Sequence, residues 1–447
     1  ESALNDKEFK QIDIKYLELT DFWGYSKEPK CFLKIITPNV KLFKKMQAIF
    51  NDYNRDDTII GVWKSKPAAD VWKLYETNIE PFIRFIHEKE IKPSGWITIK
   101  NGKEIPNTIC DYAYQTTIDD IIPANQNTIA PILIASFDIE CTSSSGDFPM
   151  AIKTYKKLAQ DFCESAEYLA TKSAKKLYKI FESLLTSDYE ISLTQKINKL
   201  HMKHEPSPKQ LETIKDKFND IKDILNKLAT EKLSQREVQK YEETLTTIFT
   251  KELPQLEGDP IIQIGTTFHR YGSDEIVYKS LITLNTCDTI DGVNVTECKS
   301  EKQLLKQWKK LILEQNPDIL TGYNIMGFDF KYMYDRSKEL NYQDKFMSKF
   351  GKSGRIDATF TSKTLASSAL GEVNMHFYNF EGILIIDMYT YVKAPTILTL
   401  DNYKLDNVCE HILGEKKVDL KPNELFAKYL GTSADRKDIG VYCIQDC

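Results

Sequence analysis

The sequence predicts an α/β protein of two or three domains: an α+β amino-terminal region, then an α/β core that carries a helical insertion. Three observations lead there. Short apolar runs mix with one helical pattern over residues 1–128; strand and helix patterns alternate over 129–144 and 257–447; and residues 145–256 show helical spacing with almost no glycine. A chain of 447 residues also exceeds what one hydrophobic core usually serves.

In the amino-terminal region, Cys31-Phe-Leu-Lys-Ile-Ile36 and Thr58-Ile-Ile-Gly-Val-Trp63 read as strands and residues 40–52 as a helix. Pro123-Ala-Asn-Gln-Asn-Thr128 has turn-forming residues and no apolar period, as a linker does. The core then reads as strands 132–140, 261–270 and 276–284, helix 301–315, strand 318–323 and helix 329–340. Its first strand opens on Ile132-Leu-Ile-Ala-Ser-Phe137, a run without polar alternation, so both faces are expected to be buried. Inside the insertion, residues 151–185, 207–229 and 234–251 have helical spacing, broken at Pro206-Ser-Pro208. Its interleaved Glu and Lys suit a solvated surface with local ion pairs. The early cluster of Lys153, Lys156, Lys157, Lys172, Lys175, Lys176 and Lys179 equally suits contact with a partner or DNA.

Four carboxylates stand where these elements would aim them inward. Asp138 and Glu140 are two apart at a strand end and leave the same face. Asp329 closes Tyr323-Asn-Ile-Met-Gly-Phe-Asp329 at a predicted helix start. Tyr442 and Asp446 are four apart in a helical pattern and share a face. Two divalent ions about 3.5 to 4 Å apart can clamp the attacking and leaving oxygens of a phosphodiester, and ions of the Mg²⁺ type take hard oxygen ligands. Four carboxylates offset the charge of two such ions, so the pattern points to a two-metal nuclease site using Mg²⁺ or Mn²⁺. Asp-x-Glu or Tyr-x-x-x-Asp alone arises by chance about once or twice in a chain of this length, whereas Asn324-x-x-x-Phe328-Asp329 arises in roughly a few per cent of such chains. The ordered combination carries the reading; the bland alternative is a pair of solvated acids at a strand end.

Taken in order, Asp138-x-Glu140, Asn324-x-x-x-Phe328-Asp329 and Tyr442-x-x-x-Asp446 resemble the three exonuclease motifs of B-family DNA polymerases. Asp259-Pro-Ile-Ile-Gln-Ile-Gly265 is similar to the second exonuclease strand of that family. Tyr403-Lys-Leu-Asp-Asn-Val408 and Leu413-Gly-Glu-Lys-Lys417 resemble the helix and loop before the third motif. Upstream, Tyr75-Glu-Thr-Asn-Ile-Glu-Pro-Phe-Ile-Arg-Phe85 with Gly95-Trp96 resembles the amino-terminal domain of delta-type enzymes and their relatives in large DNA viruses. The likeness covers most of the chain outside residues 145–256, a connection expected to be much shorter in the family.

The resemblance implies a ribonuclease-H-like fold for the core and a 3′ to 5′ proofreading exonuclease releasing nucleoside monophosphates. Asp138, Glu140 and Asp446 would hold the ion that activates water, and Asp138 and Asp329 would hold or organise the second. Tyr442 would orient the attacking water; with an ordinary pKa near 10 it is a poor base at neutral pH. Ile139, Asn324 and Phe328 would grip the last nucleotides, since an apolar ring meets any base face; Phe328 also reads as a core aromatic. The implied partners are DNA, as a single-stranded or frayed primer 3′ end with its template, and the polymerase half of the same polypeptide, with a sliding clamp as a further candidate. After Asp446 only Cys447 remains and the chain opens on Glu1, so a piece of a longer polypeptide is expected.

Composition narrows the alternatives. Sixty basic against 65 acidic residues do not describe a stand-alone DNA coat. Nine cysteines without a Cys-x-x-Cys pair suggest neither a zinc site nor a disulfide framework and fit a reducing compartment, nuclear or cytoplasmic. No apolar stretch approaches the roughly 18 residues of a membrane span, and no Gly-x-x-x-x-Gly-Lys loop is present. His201 and His204 read as a surface loop; Asp387, ending the apolar run Leu384-Ile-Ile, reads either as facing the site or as an acid capping a turn, and is left out of the metal set. A stand-alone nuclease of the same acidic type and a non-catalytic DNA-binding scaffold remain as other readings; residues 75–96 argue against the first and the full set of acids against the second.

Overall fold

A computed structural model describes residues 4–20, 27–55, 74–144, 146–185, 197, 199–367, 371–394, 397–414 and 420–447. The predicted strand Thr58–Trp63 and the loop residues Glu415–Lys417 lie outside these. The chain divides into two compact units, residues 1–108 with 112–128, and residues 109–111 with 129–447.

The first unit pairs the antiparallel strands Asp13–Thr20 and Pro29–Ile36 and carries the helices Val40–Arg55 and Pro81–Glu88. Pro81 opens the second helix, where its missing N–H costs nothing. Ile97–Ile99 pairs with Ile121–Pro123, so the predicted linker begins on the last residue of a strand.

In the second unit a six-stranded mixed sheet is built from β1 (Leu133–Cys141), β2 (Ile261–Arg270), β3 (Ile276–Leu284), β4 (Asn294–Cys298), β5 (Ile319–Gly322) and β6 (Leu384–Asp387). The strand order is β4-β3-β2-β1-β5-β6. Pairings of β2 with β1 and β3 are antiparallel and the other three are parallel, so β2 alone runs against its neighbours. The expected elements of this core form within a residue or two of their predicted ends. The short edge strand β4 was not anticipated, because Asn-Val-Thr-Glu-Cys is short and offers one clear apolar residue.

Three helices concern the site: α1 (Glu301–Gln315), α2 (Asp329–Glu339) and α3 (Ser433–Asp446). Ser300 caps α1 through the Gln303 N–H. Phe137 of β1, Trp308 of α1 and Phe330 of α2 meet in the core, with ring centroids 5.0 and 5.4 Å from Phe137. The insertion forms helices Lys156–Glu164, Ala166–Ala170, Ala174–Leu185, Pro208–Asp216, Phe218–Thr230 and Gln235–Glu252. They bury a core of their own around Phe162, Phe181, Phe218 and Phe249. No helix among the described residues is long and apolar enough to cross a membrane.

Candidate active site

Two of the acids sit at one end of β1. Asp138 and Glu140 stand opposite Gly265 and Gln263 of β2. Glu140 is buried and Asp138 half-buried, with buried Ile139 between them pointing to the other face.

Asp329 follows β5, the other neighbour of β1, and opens α2. Its carboxylate accepts the Ile139 N–H at 3.3 Å, which draws the first residue of α2 onto the strand that carries Asp138 and Glu140. Only 3 % of Asp329 is exposed, and burial pushes its carboxyl up to about 7. Hydrogen bonds from its own backbone and from Ile139 oppose the rise, and nearby Asp387 adds to it. The N-terminus of α2 also favours the anion, but desolvation wins.

Asn324 holds a left-handed backbone with φ of 61°. Asn is one of the few residues that tolerates that conformation. Its carbonyl accepts the Gly327 and Phe328 N–H groups at 2.9 and 3.0 Å, forming the turn that delivers Asp329 to α2. A Cβ on Gly327 would lie 2.2 Å from Asn324 Oδ1, so a side chain there would push the Asn324 amide aside. Asp387 fixes the turn from outside. Its carboxylate accepts the Asn324 N–H at 3.0 Å, the Met326 N–H at 2.8 Å and the Tyr389 N–H at 2.9 Å. Asp387 thereby caps the helix Met388–Val392 and clamps the loop before Asp329. Burial raises its carboxyl, and these backbone donors pull it back. The sequence offered the strand-end cap but not the clamp, which joins groups more than 60 positions apart.

Phe328 is half-buried against the core and touches Tyr332, at 5.3 Å between centroids, and Phe148, at 5.7 Å. Phe148 lies in the segment after β1 and is 70 % exposed. Asp259 holds that segment: its carboxylate accepts the Met150 N–H at 3.0 Å and pairs with Lys153 at 2.6 Å, while its carbonyl accepts the Tyr332 hydroxyl at 2.9 Å. Arg336 of α2 makes a two-pronged buried pair with Glu301 of α1 at 2.8 and 2.6 Å and donates to the Ala151 carbonyl. Glu301 also accepts the Ile261 N–H at 2.9 Å. These contacts lock α2 to the starts of α1 and β2.

Helix α3 brings Tyr442 and Asp446 to β1 and β2. Thr432 and Asp435 form its capping box, and the Arg436 carbonyl accepts Gln263 Nε2 at 2.8 Å. Two glycines allow the close approach. A Cβ on Gly265 would lie 2.8 Å from Cys447 Sγ and 3.0 Å from Cys443 Sγ, and one on Gly440 would lie 2.3 Å from Leu281. Cys443 accepts the Gly265 N–H at 3.2 Å and donates to the Asp138 carbonyl at 3.7 Å. Its thiol lies with Asp138 and Glu140 in a group whose ligand atoms are all within 4.8 Å of one another. Burial, joined by Cys447 and the neighbouring acids, holds the Cys443 thiol well above its ordinary pKa. Tyr442 and Asp446 are half-buried on the same helix. Cys443 was not singled out in the sequence; its place one turn beyond Ile439 on the buried stripe of α3 was the available signal. His201 and His204 are exposed and outside helices and strands.

A family model described as DNA polymerase family B, exonuclease domain, matches residues 72–232 and 243–408. The match includes Asp138, Ile139, Glu140, Asn324, Phe328 and Asp329 and ends before Tyr442 and Asp446. The DNA polymerase of Pyramimonas orientalis virus is 36 % identical over 98 % of this chain and 42 % of that protein. The DNA polymerase of Phaeocystis pouchetii virus is 28 % identical over 87 % of this chain and 45 % of its own length. The DNA polymerase delta catalytic subunit of Dictyostelium discoideum is 33 % identical over 99 % and 30 %. The chain thus spans less than half the length of these relatives.

Proposed function

Since this chain belongs to the B-family DNA polymerases, over their exonuclease domain, we propose that it carries a 3′ to 5′ proofreading exonuclease hydrolysing the 3′-terminal phosphodiester of DNA on a ribonuclease-H-like core. The observation that carries this reading is the seating of Asp329 on the Ile139 N–H, between Asp138 and Glu140. That bond joins two motifs 190 positions apart, and Cys443, beside Tyr442 in the third, lies with Asp138 and Glu140.

The donor chemistry suits divalent cations. Carboxylate oxygens are the ligands that Mg²⁺ and Mn²⁺ prefer, and a carboxyl raised by burial marks negative charge that the protein alone leaves poorly compensated. Asp138, Glu140 and Asp446 would hold one ion, and Asp138 with Asp329 the second. When bound, such ions supply charge neutralisation at the scissile phosphate and a more acidic water. Tyr442, through its hydroxyl, orients the attacking water. Ile139, Asn324 and Phe328 bind the terminal nucleotides, with Phe328 offering a ring to a base and Phe148 beside it. Asp387 preserves the Asn324 turn and so the aim of Phe328 and Asp329. In this reading the nuclease serves a DNA polymerase of the kind its relatives are named for, acting on a frayed primer end at an intracellular replication site.

The test is digestion of a 3′-unpaired, 5′-labelled primer with and without Mg²⁺, beside an Asp138→Ala, Glu140→Ala double variant. A metal-dependent ladder shortening from the 3′ end, lost in the variant, is expected. A folded chain that binds the primer without digesting it would favour the scaffold reading.

A further inference from the structure

The lysine cluster of the insertion separates into two groups once its contacts are known. Lys153 is paired with Asp259 at 2.6 Å and Lys157 with Asp161 at 2.8 Å. Elsewhere in the insertion Lys217 lies near Asp220, and Lys203 pairs with Glu339. Lys175, Lys176 and Lys179 have no carboxylate within ion-pair distance among the described residues, and all three are exposed. With Ser173 they line an open cavity of about 310 Å³. Lys172 lies over the ring of Tyr168 at 4.3 Å. Lys222 of the neighbouring helix donates to the Ala170 carbonyl, adding an ammonium at the same edge.

Three features make this edge unlike an ordinary solvated helix face. No acidic residue occurs from Thr171 to Phe181. Lys175 and Lys179 are one turn apart on the helix Ala174–Leu185, a spacing at which like charges repel. The helix keeps that repulsion, although glutamate at the same spacing supports Lys310 in α1. The residues around the cavity, whose wall is mostly lysine stem, end in ammonium and hydroxyl groups, the groups that bind phosphate oxygens. Lysine offers point charges without the planar fork that reads base edges. An acidic protein partner would normally add an apolar interface core, and the one large apolar group exposed in this stretch, Tyr168, already has Lys172 over its ring.

We propose that Lys172, Lys175, Lys176 and Lys179 form a sequence-independent contact for the phosphate backbone of single-stranded DNA, outside the acidic site. The choice of DNA as the polyanion rests on the proposed function. The contact gives the substrate strand a second hold on the protein, so its effect grows with strand length.

The test is anisotropy of a labelled 20-nucleotide single strand with the full chain in EDTA, titrated with salt, for wild type and a Lys175→Glu, Lys176→Glu, Lys179→Glu variant. Each lost phosphate contact lowers the slope of log affinity against log salt by about 0.7, so the variant should lose about 2 from that slope and bind more weakly. Digestion of a trinucleotide, the least able to span a second contact, should be unchanged, while digestion of the longer strand slows. Equal slopes and affinities would overturn the proposal. So would loss of binding to a polyglutamate peptide with DNA binding intact, which would assign the surface to an acidic protein. A wild type that digests neither substrate would count against the exonuclease reading, while the salt slopes would still decide the lysine surface. Thermal unfolding of the variant at the wild-type temperature guards against misfolding, which exposed side chains give no reason to expect.

Discussion

Replacing Asp329 by Asn should stabilise the metal-free protein at pH 8. The carboxyl sits at about 7 in the folded chain against an ordinary 3.8. A raised folded pKa contributes stability that is complete below about pH 3.8 and lost as the pH climbs through 7. Roughly three pH units at about 1.4 kcal/mol each put the cost of the ionised form near 4 kcal/mol as an upper bound. Asparagine keeps an oxygen for the Ile139 N–H but buries an amide, so a gain of about 2 kcal/mol is expected at pH 8. That is on the order of 3 °C in unfolding temperature for a unit of this size. Thermal unfolding in EDTA at pH 8 and pH 5 measures it; at pH 5, only about 1.2 pH units above the ordinary carboxyl value, the cost is roughly 1.6 kcal/mol, which burying the amide offsets, so the gain should vanish. Millimolar Mg²⁺ should reverse the order at pH 8, since a bound ion stabilises the folded wild type by mass action. Equal destabilisation by the substitution at both pH values would refute a charge-based origin.

Other perturbations test the supports around the acids. Asp387→Ala removes the acceptor for three backbone N–H groups and should cost about 1–3 kcal/mol; steady-state digestion should show a raised KM for primer as the Asn324 turn loosens. Gly265→Ala places a methyl 2.8 Å from Cys447 and should cost about 1–3 kcal/mol by displacing α3, with kcat falling more than stability. Arg336→Met leaves Glu301 buried without its partner, an expected loss of about 3–5 kcal/mol in denaturant unfolding, and adding Glu301→Leu should recover much of it.

Much of the core was legible because its signals are local. The apolar run ending at Phe137 and the helical period after Asp329 each lie inside one element, and β1 and α2 form where they were read. The edge strand β4 was missed because its five residues draw their support from β3 rather than from their own pattern. Asp387 was read as a turn cap and does cap, but its hold on Asn324 joins two strand ends that only the β5–β6 pairing brings level. The lysines of the insertion looked alike in sequence, and only their neighbours divided Lys153 and Lys157, which have carboxylate partners, from Lys175, Lys176 and Lys179, which have none among the described residues.

The sequence by itself determined which side chains share a face, Asp138 with Glu140 on a strand and Tyr442 with Asp446 on a helix, because two-residue and four-residue periods are properties of the backbone alone. Only the tertiary structure decided how those faces meet. Asp329 reaches the Ile139 N–H across 190 positions, and Cys443 reaches the Asp138 carbonyl across 305. Both approaches depend on packing, through the bare backbones of Gly265 under α3 and Gly440 within it, and the Asn324 turn held by Asp387. The raised pKa of Asp329 belongs to that packing too, since desolvation is set by what surrounds a carboxylate and not by its neighbours in the chain.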